Sequence, residues 1–231
     1  MIAIAAFARA QSPAPAQFDA ASVKPSIAPE GTPAGRLQFT TSRVFGTNVS
    51  AREIILQAYR LKSYQLTGGP NWLDSLHFDV EARADTPAAE NQLRPMLQGL
   101  LTERFQLAGH YETREMPVYA LAVARSGFKL RELKEGEPNP PPPKSQPGAL
   151  TADYAILKMQ DFADSLSRAG EISRPVIDRT GLQGTYVFDL QLFEGQTFLE
   201  MVQESCGLKF ESQRASIDIL VIDRIERPSG N

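Results

Sequence analysis

The chain has 231 residues, 42% of them hydrophobic and 22% charged, with a net charge of −3. That length suits one large domain or two small ones, and that composition supports a packed core and argues against global disorder. Basic residues are scattered rather than clustered, which argues against nucleic acid as a partner, and no run approaches the ~20 apolar residues that a membrane span needs.

The chain opens with MIAIAAFARA, a short apolar run ending in Ala8-Arg9-Ala10. This fits small-residue leader cleavage before Gln11, followed by a proline-containing spacer, so residues 1–17 are expected to be leader and spacer and the mature protein to be periplasmic or secreted. A first α+β unit is expected over 18–130. Ser50 with Glu53 forms the pattern of a capping box, Val49 with Ile54 that of a hydrophobic staple, and Ile54, Ile55, Ala58 and Tyr59 give the helix one apolar face. GGPNWLDS reads as a turn, and HFDVEAR alternates with Phe78, Val80 and Ala82 on one side. Leu93, Leu97, Leu100 and Leu101 stripe a second helix, with Pro95 expected in its first turn or at a kink. Two strands are expected next, QLAGHYE and VYALAVA.

Residues 131–148 hold six prolines in eighteen positions, a composition that disfavours helix and sheet and predicts a linker. A second unit, 149–231, repeats the order of the first. Met159, Phe162, Ala163 and Leu166 mark a helix, DRTGLQG a turn and TYVFDLQLF a strand. Thr197 with Glu200 forms another capping box, Gly207 is a left-handed helix stop, and the strands LKFES and SIDILVIDRI close the chain. The expected fold is therefore α+β: two related helix-strand-helix-strand-strand units packed together and joined by the Pro-rich linker. The run Ile217 to Ile222 is apolar on both faces apart from Asp218, as in a central strand.

Chemistry-bearing patterns are sparse. His77 and His110 are the only histidines, so a three-histidine metal site is impossible, and the sequence lacks HExxH and G-x-S-x-G. His77 is expected on the solvent side of its strand. His110, Glu112 and Arg114 share one strand face, which reads either as a solvated surface or as a polar contact strip with His110 tuned by Glu112. Asp178-Arg179-Thr180-Gly181 reads as a tight turn rather than a protease motif. Trp72, the single tryptophan, either anchors its turn to the core or forms part of a ligand platform. Cys206, the one cysteine, reads as a small buried hydrophobe. The candidate ligand-binding residues are His110, Glu112, Arg114 and Trp72, and neither a catalytic residue, nor a metal, nor a cofactor is assigned.

FDAASVKPS at Phe18, GGPNWL at Gly68, LLTERFQLAGHYETREMPVYALAVAR at Leu100, RPVIDRTGLQGTYVFDL at Arg174 and VIDRIERPSGN at Val221 form five ordered motifs. Together they resemble a large paralogous family of exported soil-bacterial, acidobacterial-type proteins of unknown function, from Phe18 to Asn231. The chain departs from that pattern in a shorter loop between Leu192 and Thr197 and in Cys206. The resemblance implies export, and some similar domains are attached to membrane-bound metallopeptidases of the antibiotic-sensor type. The units also resemble the short domains at the periplasmic ends of secretins and TonB receptors, by analogy of fold alone. These expectations favour a non-catalytic binding or sensing module for a peptide, envelope component or protein partner. A hydrolase with a site near His110, assembled from His110, Glu112 and residues of the DRTG turn, and a scaffold in an envelope assembly are the alternatives.

The mature protein is expected to begin at or near Gln11 and to be recovered from the periplasm or medium. N-terminal sequencing of the native protein checks this; an intact Met1 in the cytosol contradicts it.

Overall fold

The computed structural model describes residues 17–29, 31–168, 172 and 174–228, so residues 1–16, most of the expected leader and spacer, lie outside the described residues. In chain order come strands β1 (Ala20–Pro25), β2 (Gln38–Phe39) and β3 (Arg43–Ser50), helix α1 (Ala51–Tyr59), β4 (Leu66–Gly68) and the short α2 (Trp72–Ser75). Then follow β5 (His77–Arg83), α3 (Glu90–Phe105), β6 (Ala108–Val123), β7 (Arg131–Leu133), β8 (Ala149–Lys158) and α4 (Met159–Arg168). The chain ends with β9 (Val176–Asp178), β10 (Thr185–Phe193), α5 (Phe198–Cys206) and β11 (Leu208–Arg224). The class is α+β.

The chain divides into two compact units. Unit 1 holds the described residues up to Glu112 together with those from Ile219 onward, and unit 2 holds Thr113–Asp218. The division does not follow the Pro-rich segment, which was expected to be a linker. Residues 131–148 lie within unit 2, and their first three residues form β7, antiparallel to β10. The prolines begin only at Pro138, so nothing in Arg131–Leu133 prevents a ladder. Further on, the Tyr154 hydroxyl donates to the Pro140 carbonyl at 2.6 Å and the Gln146 N–H to Gln191 Oε1 at 2.8 Å. The segment is strapped to the unit that contains it.

In unit 1 the sheet order is β1-β5-β3-β2, antiparallel throughout. Alternation along β5 buries Phe78, Val80 and Ala82, as the sequence pattern predicts, against Ile54 and Ile55 of α1 and Leu93, Leu97 and Leu101 of α3. Ser50 caps α1 by accepting the Glu53 N–H at 3.1 Å, but the reciprocal half of the expected box is missing. Ser50 is instead paired with His77 in the sheet, and the Glu53 carboxylate takes Gln57 at 2.7 Å and Arg36 at 3.2 Å. The last carbonyls of α1 accept from α3: Gln98 reaches Ala58 O and Arg94 reaches Gln57 O. Pro95 lies inside α3, past its first turn.

In unit 2, β10 lies between β7 and β8. Its Phe188 stacks on Phe162 of α4, with ring centroids 4.1 Å apart, in a core completed by Met159, Leu166, Met201 and Leu208. The box at Thr197 and Glu200 is complete, and Gly207 ends α5 at φ +67°. Within unit 1 the end of β11 lies between β4, parallel to it, and the start of β6; within unit 2 the rest of β6 runs parallel to β9.

Two corrections concern β6 and β11. QLAGHYE and VYALAVA were expected as separate strands, as were LKFES and SIDILVIDRI; each pair is one continuous strand of 16 and 17 residues respectively. The segments between them begin Thr113-Arg114-Glu115 and Gln213-Arg214, which hold no Gly, Asn or Asp to form a turn, and Pro117 is tolerated without a break. With α2 set aside, the order strand-helix-strand-strand-helix-strand occurs twice, as β3-α1-β4-β5-α3-β6 and as β8-α4-β9-β10-α5-β11.

β11 lies between two neighbours and buries Ile217, Ile219, Leu220 and Ile222. Each large aliphatic side chain contributes about 1.5–3 kcal/mol on burial, so these four approach a typical total stability of about 5–15 kcal/mol. Truncation before Ser216 is therefore expected to give an insoluble or unfolded product, checked by solubility and thermal denaturation. A soluble, cooperatively unfolding truncate contradicts the central role of β11.

Candidate functional site

The first candidate grows from the end of β6 in unit 1. His110 is half exposed, and both ring nitrogens face carboxylates. Nδ1 lies 2.9 and 3.0 Å from the two oxygens of Asp223 on β11, and Nε2 lies 3.2 Å from Glu112. A neutral imidazole carries one N–H, whereas the protonated ring donates from both nitrogens, so this arrangement suits the cation. The hydrogen bond to Asp223, then that to Glu112, raises the His110 pKa above its ordinary value against a smaller opposing effect of desolvation. A ring whose nitrogens are both committed as donors has no lone pair for a general base. The group is a charged clip between β6 and β11.

Asp223 escaped the sequence reading because it is 113 residues from His110. Its signal was an acid at the end of the apolar run of β11, which becomes informative only once β6 and β11 are neighbours. The structure brings together His110 and Glu112 but places the other two candidates elsewhere. Arg114 is exposed, further along β6 in unit 2, and Trp72 is half-buried against the unit 1 core. His77 is half-buried.

Two possible nucleophile or acid positions are accounted for structurally. Cys206 is buried, and that burial pushes its thiol pKa up to about 12, away from the reactive thiolate. Asp178 Oδ1 accepts both the Thr180 N–H at 2.8 Å and the Thr180 hydroxyl at 2.7 Å, the pattern of an Asx turn. Among the described residues no group of three or more His, Cys, Asp and Glu side chains converges as metal ligands, and no helix is long and apolar enough to cross a membrane.

The second candidate is a sheet edge in unit 2. β8 pairs with β10 along its length, from Thr185↔Lys158 to Phe193↔Ala149, and ends its sheet. Among the described residues no strand pairs with its other edge. Half of the backbone N–H and C=O groups of such a strand point outward and can pair with an added chain. The register with β10 shifts at Leu150, which has no partner there and is 65% exposed.

β3 in unit 1 provides the comparison. Like β8, it runs antiparallel to a long strand and leads directly into a helix. Its far edge, however, is occupied by the preceding chain: Gln38↔Phe45 and Phe39↔Val44 pair, and the Gly35 N–H donates to Asn48 O at 2.8 Å. The approach is close enough that a Cβ on Gly35 would lie 1.9 Å from Thr47 O. The segment preceding β8 contains Pro138 and Pro140–Pro143, none of which has an N–H to give to a ladder.

Because the folded-state pKa of His110 is raised, the clip's contribution to stability is complete below the ordinary histidine value and is lost as pH rises through the folded value. The stability difference between wild type and His110→Gln is thus expected to shrink with rising pH above the carboxylate range, as measured by urea midpoints. In NMR titrations the His110 midpoint should exceed that of a free histidine, and Asp223→Asn should lower it more than Glu112→Gln. A midpoint at or below the free value contradicts the clip.

A search of curated proteins finds no match, and neither does a search of solved structures. A family model described as a protein of unknown function, DUF3738, matches residues 52–225, from α1 to just past β11. The chain belongs to the DUF3738 family of proteins of unknown function.

Proposed function

We propose that this protein is a non-catalytic binding module acting outside the cytoplasm, and that it takes an extended peptide by strand addition to the open edge of β8. The observation that carries this reading is the contrast between β3, whose edge is filled by its own chain, and β8, whose outer edge no strand pairs with among the described residues. Main-chain hydrogen bonds would supply affinity, and alternate side chains along the strand would supply selectivity. Tyr154 and Ile156 flank the edge on one face, with Ala155 and Leu157 on the core side.

The binding reading draws further support from the chemistry of the alternatives. The hydrolase reading needs a base at His110, whose nitrogens are both bonded to carboxylates, and it borrows the DRTG turn, whose aspartate is occupied by Thr180. Extracytoplasmic action rests on the leader-like start of the sequence and the five motifs. Those motifs also carry the finer reading that relatives are exported soil-bacterial, acidobacterial-type proteins with units akin to secretin and TonB-receptor domains. The repeated order of elements supports descent of the two units from one by duplication.

The test uses random displayed peptides about as long as β8, selected on the whole protein. A selected peptide is then N-methylated at alternate amides in each of the two possible registers. Strand addition predicts that one register loses affinity by about tenfold or more, since several hydrogen bonds of about 1 kcal/mol each are removed, while the other binds nearly as the parent does. Equal binding in both registers, or equal loss, contradicts the proposal.

A further inference from the structure

Unit 1 contains a cavity of about 440 Å³, within the size range of small-ligand sites. It opens where β1 ends, beside the start of β5 and the segment after β11. Pro25, Leu76 and Pro228 contribute its apolar lining. Its polar wall holds one charged residue among the described residues, Arg227. Arg227 and His77 line it, and no Asp or Glu does among the described residues. Neither side chain has a hydrogen-bond or ion-pair partner among those residues: the nearby Glu226 is taken by Arg224 at 2.5 Å, and the nearby Asp79 accepts the Asn48 N–H at 2.9 Å. Ser26 and Ser75 add hydroxyl groups.

Asn48 supplies the complementary polarity. It sits at φ +53°, a conformation that asparagine tolerates better than most residues. Its side-chain amide donates to Thr32 O at 3.2 Å and Pro33 O at 3.0 Å, which fixes the group. Asn48 held in this way is one of the polar residues that line the cavity. The cavity thus combines two donors suited to an anion with a fixed polar amide and an apolar wall.

We propose that this cavity binds the C-terminal end of a short peptide with an apolar last residue. The carboxylate would pair with Arg227 and His77, and the side chain would pack on Leu76 and Pro228. Guanidinium–carboxylate pairing is charge-assisted and directional, so a free carboxylate is preferred to an amide of the same shape. This site goes beyond the β8 reading and does not depend on it, because β8 belongs to unit 2.

The probe is N-acetyl-alanyl-leucine with a free carboxylate, titrated into the whole protein by NMR beside the same dipeptide amidated at its C-terminus. The free acid should bind at millimolar concentrations or below and shift the signals of Ser26, Asn48 and His77, and the amide should bind at least about tenfold more weakly. Arg227→Met should weaken binding of the acid to a similar degree with an unchanged Tm, because Arg227 is exposed and has no partner to lose among the described residues. The proposal is overturned if acid and amide bind alike, if the acid fails to bind at millimolar concentrations, or if Arg227→Met binds it as wild type does.

Discussion

The close approach of backbone to β11 governs how unit 1 presents its chemistry. On one side Gly68, at φ +79°, sits where a Cβ would lie 2.9 Å from Ile222 O. On the other, a Cβ on Gly109 would lie 2.5 Å from Val221 O. A side chain at either position would push its strand away from β11, and glycine alone permits the contact. The consequence is local and chemical: His110 follows Gly109, Asp223 follows Ile222, and the two side chains meet within 3.0 Å. The clip is therefore a product of packing, and its raised pKa follows from that packing rather than from burial of the imidazole.

A second constraint is the supply of backbone donors beside β3 and β8. Along β3, Gly35 and Gly46 both leave room for the neighbouring chain, since a Cβ on Gly46 would lie 2.8 Å from Arg36 O. That chain then gives β3 a second partner and keeps its edge from solvent. Beside β8 the corresponding stretch of sequence is rich in proline, and it is held instead by the Tyr154 hydroxyl and by Gln191. A proline strap satisfies side chains without completing a ladder, which leaves a ten-residue edge available. Natural sheets commonly protect such edges with charge, and β8 carries only Asp153 and Lys158.

Much of this architecture was legible in the sequence wherever one residue pattern decides one element. The alternation in HFDVEAR, the box at Thr197 and Glu200 and the glycine stop at Gly207 all read correctly, because each depends on neighbours within a few positions. The misreadings share the opposite property. Thr113-Arg114-Glu115 and Gln213-Arg214 look like breaks because they are polar, yet they continue β6 and β11, since polarity without turn formers does not end a strand. Ser50 lost half of its box to a sheet partner 27 positions away, at His77. Of the candidate residues, the pairing of His110 with Glu112 followed from strand periodicity. Asp223, the nearer and stronger partner, became visible only with the strand order.

The central claim is that β8 has one satisfied edge and one open edge in the free protein, and residue-resolved amide exchange measures this directly. Amides of β8 from residue 151 to 158 are expected to alternate between slow and fast exchange, the slow set being those bonded to β10, whereas β10, paired on both sides over 185–187, should be protected continuously there. Uniform protection along β8 would mean that its outer edge is already covered, and would contradict the account.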